Sequence, residues 1–233
     1  MRSAGCVIND FFDRDFDGKV ERTKNRPLVT GQVKGFEAIT LFFILVSLSA
    51  SLLFWTNKLT VIIACIGLII AVIYPLTKRF FELPQVFLGL AFSWGILMVS
   101  AAELDKISST SLIMFSACFF WIMAYDTAYA MSDRDDDLSI GLKSSAITFG
   151  KYSQKLIITF HLISLSLWSF SGFVEKINPI FYVSIIVCLV LVFFQFLLIR
   201  DENPEKCFTA FKRNNWIGIS ILLGTIFSSI LEI

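Results

Sequence analysis

Long uninterrupted apolar runs constrain this chain more than any other feature of its sequence. Residues 59–76 and 181–199 contain no charged side chain, and about 20 apolar residues are enough for a helix to cross the hydrocarbon core of a bilayer. Such runs recur along a chain that is 56% hydrophobic, whereas soluble domains contain roughly 45–50% apolar residues. The sequence therefore predicts an all-α, polytopic transmembrane helix bundle embedded in a lipid bilayer.

Seven full spans are predicted, preceded by a partial helix over residues 1–17. The predicted spans are 36–55, 59–77, 85–103, 110–131, 155–174, 179–199 and 214–232. Lysine and arginine concentrate in alternate loops, and such loops stay in the cytoplasm. The basic loops are 18–35, 78–84, 132–154 and 200–213. We therefore expect a multi-pass protein of the inner (cytoplasmic) membrane, forming one domain over residues 1–233.

The charge distribution and the cysteine spacing argue against binding of nucleic acid and against a zinc site or a disulfide framework. The net charge is +1 without a basic stripe, so nucleic acid is not an expected partner. The five cysteines lack Cys-x-x-Cys spacing, so neither a zinc site nor a disulfide framework is predicted.

A first acidic cluster ends the partial helix. Asp10, Asp13 and Asp17 follow one another at the spacing that places side chains on one helix face, and Asn9 adds an amide next to them. Clustered carboxylates near a membrane are costly unless cations lie among them. Mg²⁺ binds through one or two carboxylates together with substrate phosphate oxygens, so the cluster predicts a magnesium–diphosphate site.

A second acidic cluster ends the fourth predicted span. Asp126, Tyr129, Asp133 and Asp137 share one face if the helix continues through them, and both clusters are expected on the cytoplasmic side. Asp135 and Asp136 point off that face, and a role as solvated acids is equally compatible with them.

Basic residues follow each cluster and could neutralise a departing diphosphate. Arg22 and Arg26 follow the first cluster, Lys143 follows the second, and Lys78 and Arg79 end another span beside Tyr74. For Arg22, Lys78 and Lys143, the spacing alone is equally compatible with membrane anchoring.

These motifs resemble the UbiA-type intramembrane prenyltransferases. The first is Gly5-x-x-x-Asn9-Asp10-x-x-Asp13-x-x-x-Asp17, continuing through Arg22-Thr23-x-x-Arg26-Pro27-Leu28. The second, from Asp126-Thr127 through Asp133 and Asp136-Asp137 to Gly141-x-Lys143-Ser144, is similar to the 4-hydroxybenzoate polyprenyltransferase branch. The resemblance covers essentially the whole chain.

The resemblance implies a nine-helix fold, a polyprenyl diphosphate donor, 4-hydroxybenzoate as acceptor and Mg²⁺ as cofactor. The reaction it implies is transfer of the polyprenyl group to the acceptor ring, an early step of ubiquinone biosynthesis. The implied metal ligands are Asn9, Asp10, Asp13 and Asp17 for one ion, and Asp133 and Asp137 for the other. The implied diphosphate-steadying residues are Arg22, Lys78 and Lys143. The expected further substrate-binding residues are Arg26, Tyr74, Arg79, Asp126 and Tyr129.

One departure from the family pattern concerns the start of the chain. Family members have a complete first helix and most of a second before the Asn-Asp pair, whereas eight residues precede Asn9 here. We therefore expect the chain to lack the first helix and part of the second. The alternatives left open are an inactive truncated remnant, a prenyltransferase with a homogentisate, haem or naphthoate-type acceptor, and an ion-coupled transporter.

Overall fold

The described part of the chain, residues 1–20 and 22–231 of a computed structural model, consists of α-helices, two short 3₁₀ helices and connecting turns. The α-helices are α1 (Arg2–Asp17), α2 (Gly35–Ser51), α3 (Lys58–Thr77), α4 (Pro84–Leu104), α5 (Ser109–Ser132), α6 (Arg134–Ile140), α7 (Ser145–Phe149), α8 (Ser153–Val174), α9 (Phe181–Ile199), α10 (Pro204–Arg213) and α11 (Asn215–Ile230). The predicted all-α class is confirmed.

Six helical segments among the described residues are long and apolar enough to cross a membrane. They are Gly35–Trp55, Lys58–Thr77, Pro84–Leu104, Ser109–Ser132, Ser145–Val174 and Phe181–Ile199. They match the first six predicted spans and identify a multi-pass membrane protein. The seventh predicted span corresponds to α11, whose 16 residues rise about 24 Å; its predicted end at Glu232 lies outside the described residues.

Two segments that we expected to be loops contain helices. The segment 132–154 includes α6 and α7, and the segment 200–213 includes α10. The side chain of Asn203 accepts a hydrogen bond from the backbone N–H of Lys206, and Pro204 occupies the first turn of α10. This cap and proline are the usual signals of a helix start, and the expectation of an irregular loop overlooked them.

The described helices group into two compact units. The first comprises Met1–Lys106 and Asp133–Ser144, and the second comprises Ile107–Ser132 and Ser145–Ile233. In the first unit α1 packs against α2 and α3, and α3 packs against α4. In the second unit α5 packs against α8 and α10, and α9 packs against α8, α10 and α11. The expectation of one domain over the whole chain stays a prediction.

An apolar face of α1 anchors that helix in the first unit. Ala4 and Ile8 are buried together with Phe42 of α2, and Phe11 and Phe12 pack at their side. Because α1 is held along this face, the carboxylates at its C-terminal end are fixed in position.

Small residues bring the helices of the second unit close together. A Cβ atom on Gly224 would lie 2.5 Å from the Cβ of Ser184 on α9, and one on Gly218 would lie 2.9 Å from the ring of Trp121 on α5. Glycine at such contacts lets membrane helices pack backbone to backbone. The packing of α11 therefore depends on these two positions.

We predict that Gly224→Ala lowers the free energy of unfolding by about 1–3 kcal/mol, because the added methyl overlaps Ser184 close to its backbone. Thermal unfolding of the detergent-solubilised chain would measure the change. Gly95→Ala is the matched control, because a Cβ there meets no atom within 4 Å and alanine is the better helix former. Equal stability of the two variants would contradict the close α9–α11 contact.

Candidate active site

The first acidic cluster lies at the C-terminal end of α1. Asp13 and Asp17 are only 6% and 8% exposed, and Asp10 is half-buried. The guanidinium of Arg26 lies between two of these carboxylates, with its Nη1 2.8 Å from Asp10 Oδ1 and 2.6 Å from Asp17 Oδ2. A buried carboxylate is tolerated when it is paired, so Arg26 stabilises this end of α1.

The segment after α1 positions Arg26 through a residue to which the sequence analysis gave no role. The buried hydroxyl of Thr23 donates a hydrogen bond to the carbonyl of Asp17 at 2.8 Å, and the N–H of Arg26 donates to the carbonyl of Thr23 at 2.9 Å. Terminal carbonyls of a helix need such donors. The sequence signal for this contact was the hydroxyl residue Thr23, which follows Asp17, the last acid of α1, by six positions.

The second acidic cluster does not continue a single helix, contrary to our expectation. Helix α5 ends at Ser132 and α6 begins at Arg134, because Asp133 adopts φ −106° and ψ 7°. Its carbonyl accepts the N–H of Asp137 at 2.8 Å, so a new helix starts here. Acidic residues favour the first turn of a helix through the macrodipole, which accounts for the break before three consecutive aspartates.

Arg22 joins the second cluster to the segment that follows the first. Its Nη2 lies 2.6 Å from Asp133 Oδ2, and its Nε donates to Asp133 Oδ1 at 3.4 Å. Two parallel contacts of this kind hold a carboxylate in a defined orientation. Asp133 of the second cluster therefore contacts the segment after the first cluster within the first unit.

Lys78 forms a second connection between the clusters. Its ammonium lies 2.7 Å from Asp13 Oδ2 and also acts electrostatically on Asp137. Burial and the neighbouring Asp133 carboxylate raise the pKa of Asp137 to about 6, against the lowering effect of Lys78. The ionised form of Asp137 is therefore disfavoured, and an additional cation nearby would stabilise it.

Three further predicted residues lie around Lys78. The ring of Tyr74 lies 5.8 Å from the Lys78 ammonium, and the backbone N–H of Lys143 donates to the Lys78 carbonyl at 3.1 Å. Arg79 donates to the carbonyl of Phe12 at 2.7 Å, a contact with the α1 backbone rather than with a carboxylate. Substrate binding by Tyr74 and Arg79 stays a prediction.

Asp126 and Tyr129 belong to α5 in the second unit. Both are half-buried, and the Tyr129 ring lies 4.8 Å from the ring of Phe211 on α10. Between them, the hydroxyl of Thr127 accepts a hydrogen bond from Ser145 at 2.9 Å. Substrate binding by Asp126 and Tyr129 stays a prediction.

The carboxylates of the first unit fit a cation that is shared with a ligand. Among the described residues no three acidic, histidine or cysteine side chains converge as a ready metal site. Five carboxylates (Asp10, Asp13, Asp17, Asp133 and Asp137) instead share three cations, those of Arg22, Arg26 and Lys78. The buried Oδ1 of Asn9 has no hydrogen-bond partner among the described residues. Clustered carboxylates beside a free amide oxygen suit Mg²⁺, which takes few protein ligands and keeps positions for water and phosphate.

Known proteins resemble this chain over almost its whole length. A sequence model of the UbiA prenyltransferase family matches residues 1–217. A 4-hydroxybenzoate octaprenyltransferase of Coxiella burnetii is 43% identical over 96% of this chain and 78% of its own length. One from a Marinomonas species is 45% identical over 98% of this chain and 81% of its own length. The solved apo structure of a UbiA homolog from Aeropyrum pernix K1 is 27% identical, with a TM-score of 0.83, covering 97% of this chain and 84% of that one.

We predict that Arg26→Gln lowers the free energy of unfolding by about 1–3 kcal/mol in the presence of EDTA, because Asp10 and Asp17 lose their shared counter-ion. Added Mg²⁺ should stabilise this variant more than the unsubstituted chain, since the ion no longer competes with a guanidinium. Thermal unfolding with EDTA and with Mg²⁺ would measure both effects. Arg14→Gln is the control, because Arg14 is exposed and, among the described residues, its ion pair is with exposed Asp15 at 3.6 Å. An identical Mg²⁺ response of both variants would contradict the shared site.

Proposed function

Because the chain belongs to the UbiA prenyltransferase family, we propose that it transfers a polyprenyl group from a polyprenyl diphosphate to the ring of 4-hydroxybenzoate, an early step of ubiquinone biosynthesis. Relatives that are 43–45% identical over nearly the whole chain carry the name 4-hydroxybenzoate octaprenyltransferase. The observation that carries the proposal is the pair of acidic clusters connected by Arg22 and Lys78. Such a surface suits a diphosphate bound through cations.

The metal in this proposal is Mg²⁺, held by two groups of oxygen ligands. Asn9, Asp10, Asp13 and Asp17 would hold one ion, and Asp133 and Asp137 would hold the other. When bound, Mg²⁺ neutralises the carboxylates and the diphosphate oxygens that it contacts. The raised pKa of Asp137 and the unpartnered Asn9 oxygen support these ligands.

Three basic side chains are proposed to steady the diphosphate. Arg22 and Lys78 pair with Asp133 and Asp13, and Lys143 directs its ammonium to the carbonyl of Phe80 at 3.4 Å. Once cations neutralise the carboxylates, Arg22 and Lys78 can donate their N–H groups to diphosphate oxygens instead. Their charge stabilises the diphosphate most strongly as the bond to the prenyl carbon breaks and negative charge gathers on its oxygens.

Bond breaking leaves an allylic cation on the prenyl chain, with both bonding electrons on the diphosphate. The ring carbon ortho to the phenol hydroxyl of the acceptor then forms the new carbon–carbon bond, and loss of a ring proton restores aromaticity. Arg26, Tyr74, Arg79, Asp126 and Tyr129 are proposed to bind the substrates. The product is a 3-polyprenyl-4-hydroxybenzoate.

The location proposed for the chain is the inner membrane, with both acidic clusters on the cytoplasmic side. The concentration of lysine and arginine in alternate loops supports this orientation. Diphosphate substrates made in the cytoplasm would then reach the clusters without crossing the bilayer core, where such charge is strongly disfavoured.

Membranes containing the chain should prenylate 4-hydroxybenzoate when supplied with a polyprenyl diphosphate. EDTA should stop product formation and added Mg²⁺ should restore it, since the diphosphate binds through the metal. Chromatography of the products with 4-hydroxybenzoate, homogentisate and a naphthoate offered in parallel would measure acceptor choice. Faster reaction with another acceptor would overturn the acceptor assignment, and activity that resists EDTA would overturn the metal.

Asp13→Asn should lower kcat by roughly 100-fold or more, because a charged ligand at the diphosphate site is lost, while the variant remains folded. Steady-state assays with a parallel measurement of thermal unfolding would separate the two effects. Asp15→Asn provides the matched control two residues away, because Asp15 is exposed and its ion pair in the described part of the chain is with Arg14. Near-normal turnover of the Asp13 variant, or equal loss in both variants, would contradict the proposed ligand set.

A further inference from the structure

A groove runs between α8 and α9 in the second unit, away from any residue used above. Its volume is about 520 Å³, within the range of roughly 300–1,000 Å³ that accommodates organic ligands. The walls are apolar and come from both helices. The apolar wall residues are Ile158 and Leu162 of α8, and Leu189, Val192, Phe193 and Phe196 of α9.

The wall extends down the membrane-spanning part of both helices. The groove follows α8 from Lys155 to Leu162 and the antiparallel α9 from Phe196 to Leu189. Each stretch advances seven residues, a rise of about 10 Å along the helix axis. Leu162, Leu189 and Phe193 are more than one third exposed. In a bilayer this depth lies beside lipid tails, so the apolar part of the groove suits a hydrocarbon chain.

One end of the groove carries positive charge. Lys151 and Lys155 both line it, and both are exposed. Among the described residues neither ammonium forms an ion pair. Lys151 instead lies 5.3 Å from the ring of Tyr152. Two lysines without an ion-pair partner at the end of an apolar groove are complementary to an amphiphile with an anionic head group.

The neighbouring polar groups leave these cations available. Gln154 donates to the carbonyl of Arg200 at 3.1 Å and to Glu202 at 3.0 Å, which ties the segment after α9 to the start of α8. Asp201, the other acid of that segment, pairs with Lys206 at 2.7 Å. The two acids are therefore held by groups other than Lys151 and Lys155.

We propose that this groove binds an anionic phospholipid of the surrounding bilayer, with one acyl chain along α8 and α9 and the phosphate between Lys151 and Lys155. Basic pockets between membrane helices recognise anionic headgroups in this way. Here the two lysines lie one helical turn apart at the mouth of the same apolar groove.

Photocrosslinking in vesicles tests the proposal directly. The chain is reconstituted into phosphatidylcholine vesicles that contain a trace of phosphatidylglycerol with a photoreactive acyl chain, or of the matching photoreactive phosphatidylcholine. We expect the phosphatidylglycerol probe to label peptides from α8 and α9 preferentially, by roughly fivefold for each lysine that contacts the headgroup. Equal labelling by the two probes would overturn the proposal.

Charge variants identify the lysines responsible. The double variant Lys151→Gln/Lys155→Gln should lose the preference for phosphatidylglycerol. The matched control Lys212→Gln/Arg213→Gln removes the same charge from the same unit outside the groove, leaves the Lys206–Asp201 pair in place, and should keep the preference. A preference that survives in the first variant, or disappears equally in both, would show a diffuse surface charge effect and overturn the site.

Competition distinguishes the proposed lipid from other anionic occupants. Unlabelled phosphatidylglycerol should displace the probe, whereas inorganic phosphate should not, because it lacks the chain that occupies the apolar walls. Displacement by inorganic phosphate would mean that the lysines hold a free anion. Stronger displacement by a polyprenyl diphosphate than by phosphatidylglycerol would mean that the groove serves the donor, and either result would overturn the proposal.

Discussion

Ion pairing of buried carboxylates is the constraint on which the first unit depends. Asp13 and Asp17 have less than one tenth of their surface exposed, and an unpaired charge at such burial is strongly disfavoured. Their partners come from elsewhere in the chain: Arg26 from the segment after α1, and Lys78 from the end of α3. The folded arrangement of α1 therefore requires these separate segments to be in place.

The same pairing connects stability with the proposed chemistry. Cations that hold the carboxylates in this state are the groups proposed to steady the diphosphate. In the proposed function these partners would be exchanged for metal ions and phosphate oxygens, which would limit the electrostatic penalty of binding a highly charged substrate. Thr23 and the Lys143 N–H hold the backbone on either side of the pairs, so contacts other than the ion pairs also position the segments that carry these side chains.

The second unit is organised by packing rather than by charge. Gly218 and Gly224 allow α11 to approach Trp121 and Ser184 closely, as small residues do between membrane helices that gain little from the hydrophobic effect. Apolar residues of α8 and α9 line the groove that has Lys151 and Lys155 at its end. This unit therefore combines closely packed helices with a groove that is proposed to hold a lipid.

The sequence by itself determined the helical class, six spans, the end of α1 and the chemical character of both acidic clusters. These features depend on the length of the apolar runs and on the helical spacing of the acidic residues, which are local properties of the chain. Only the tertiary structure decided that Asp133 interrupts the helix, that Arg79 contacts the Phe12 carbonyl, and that Arg22 and Lys78 join the two clusters. The spacing of residues along one helix cannot specify the ion-pair partners that other segments supply, because those depend on how the segments pack in three dimensions.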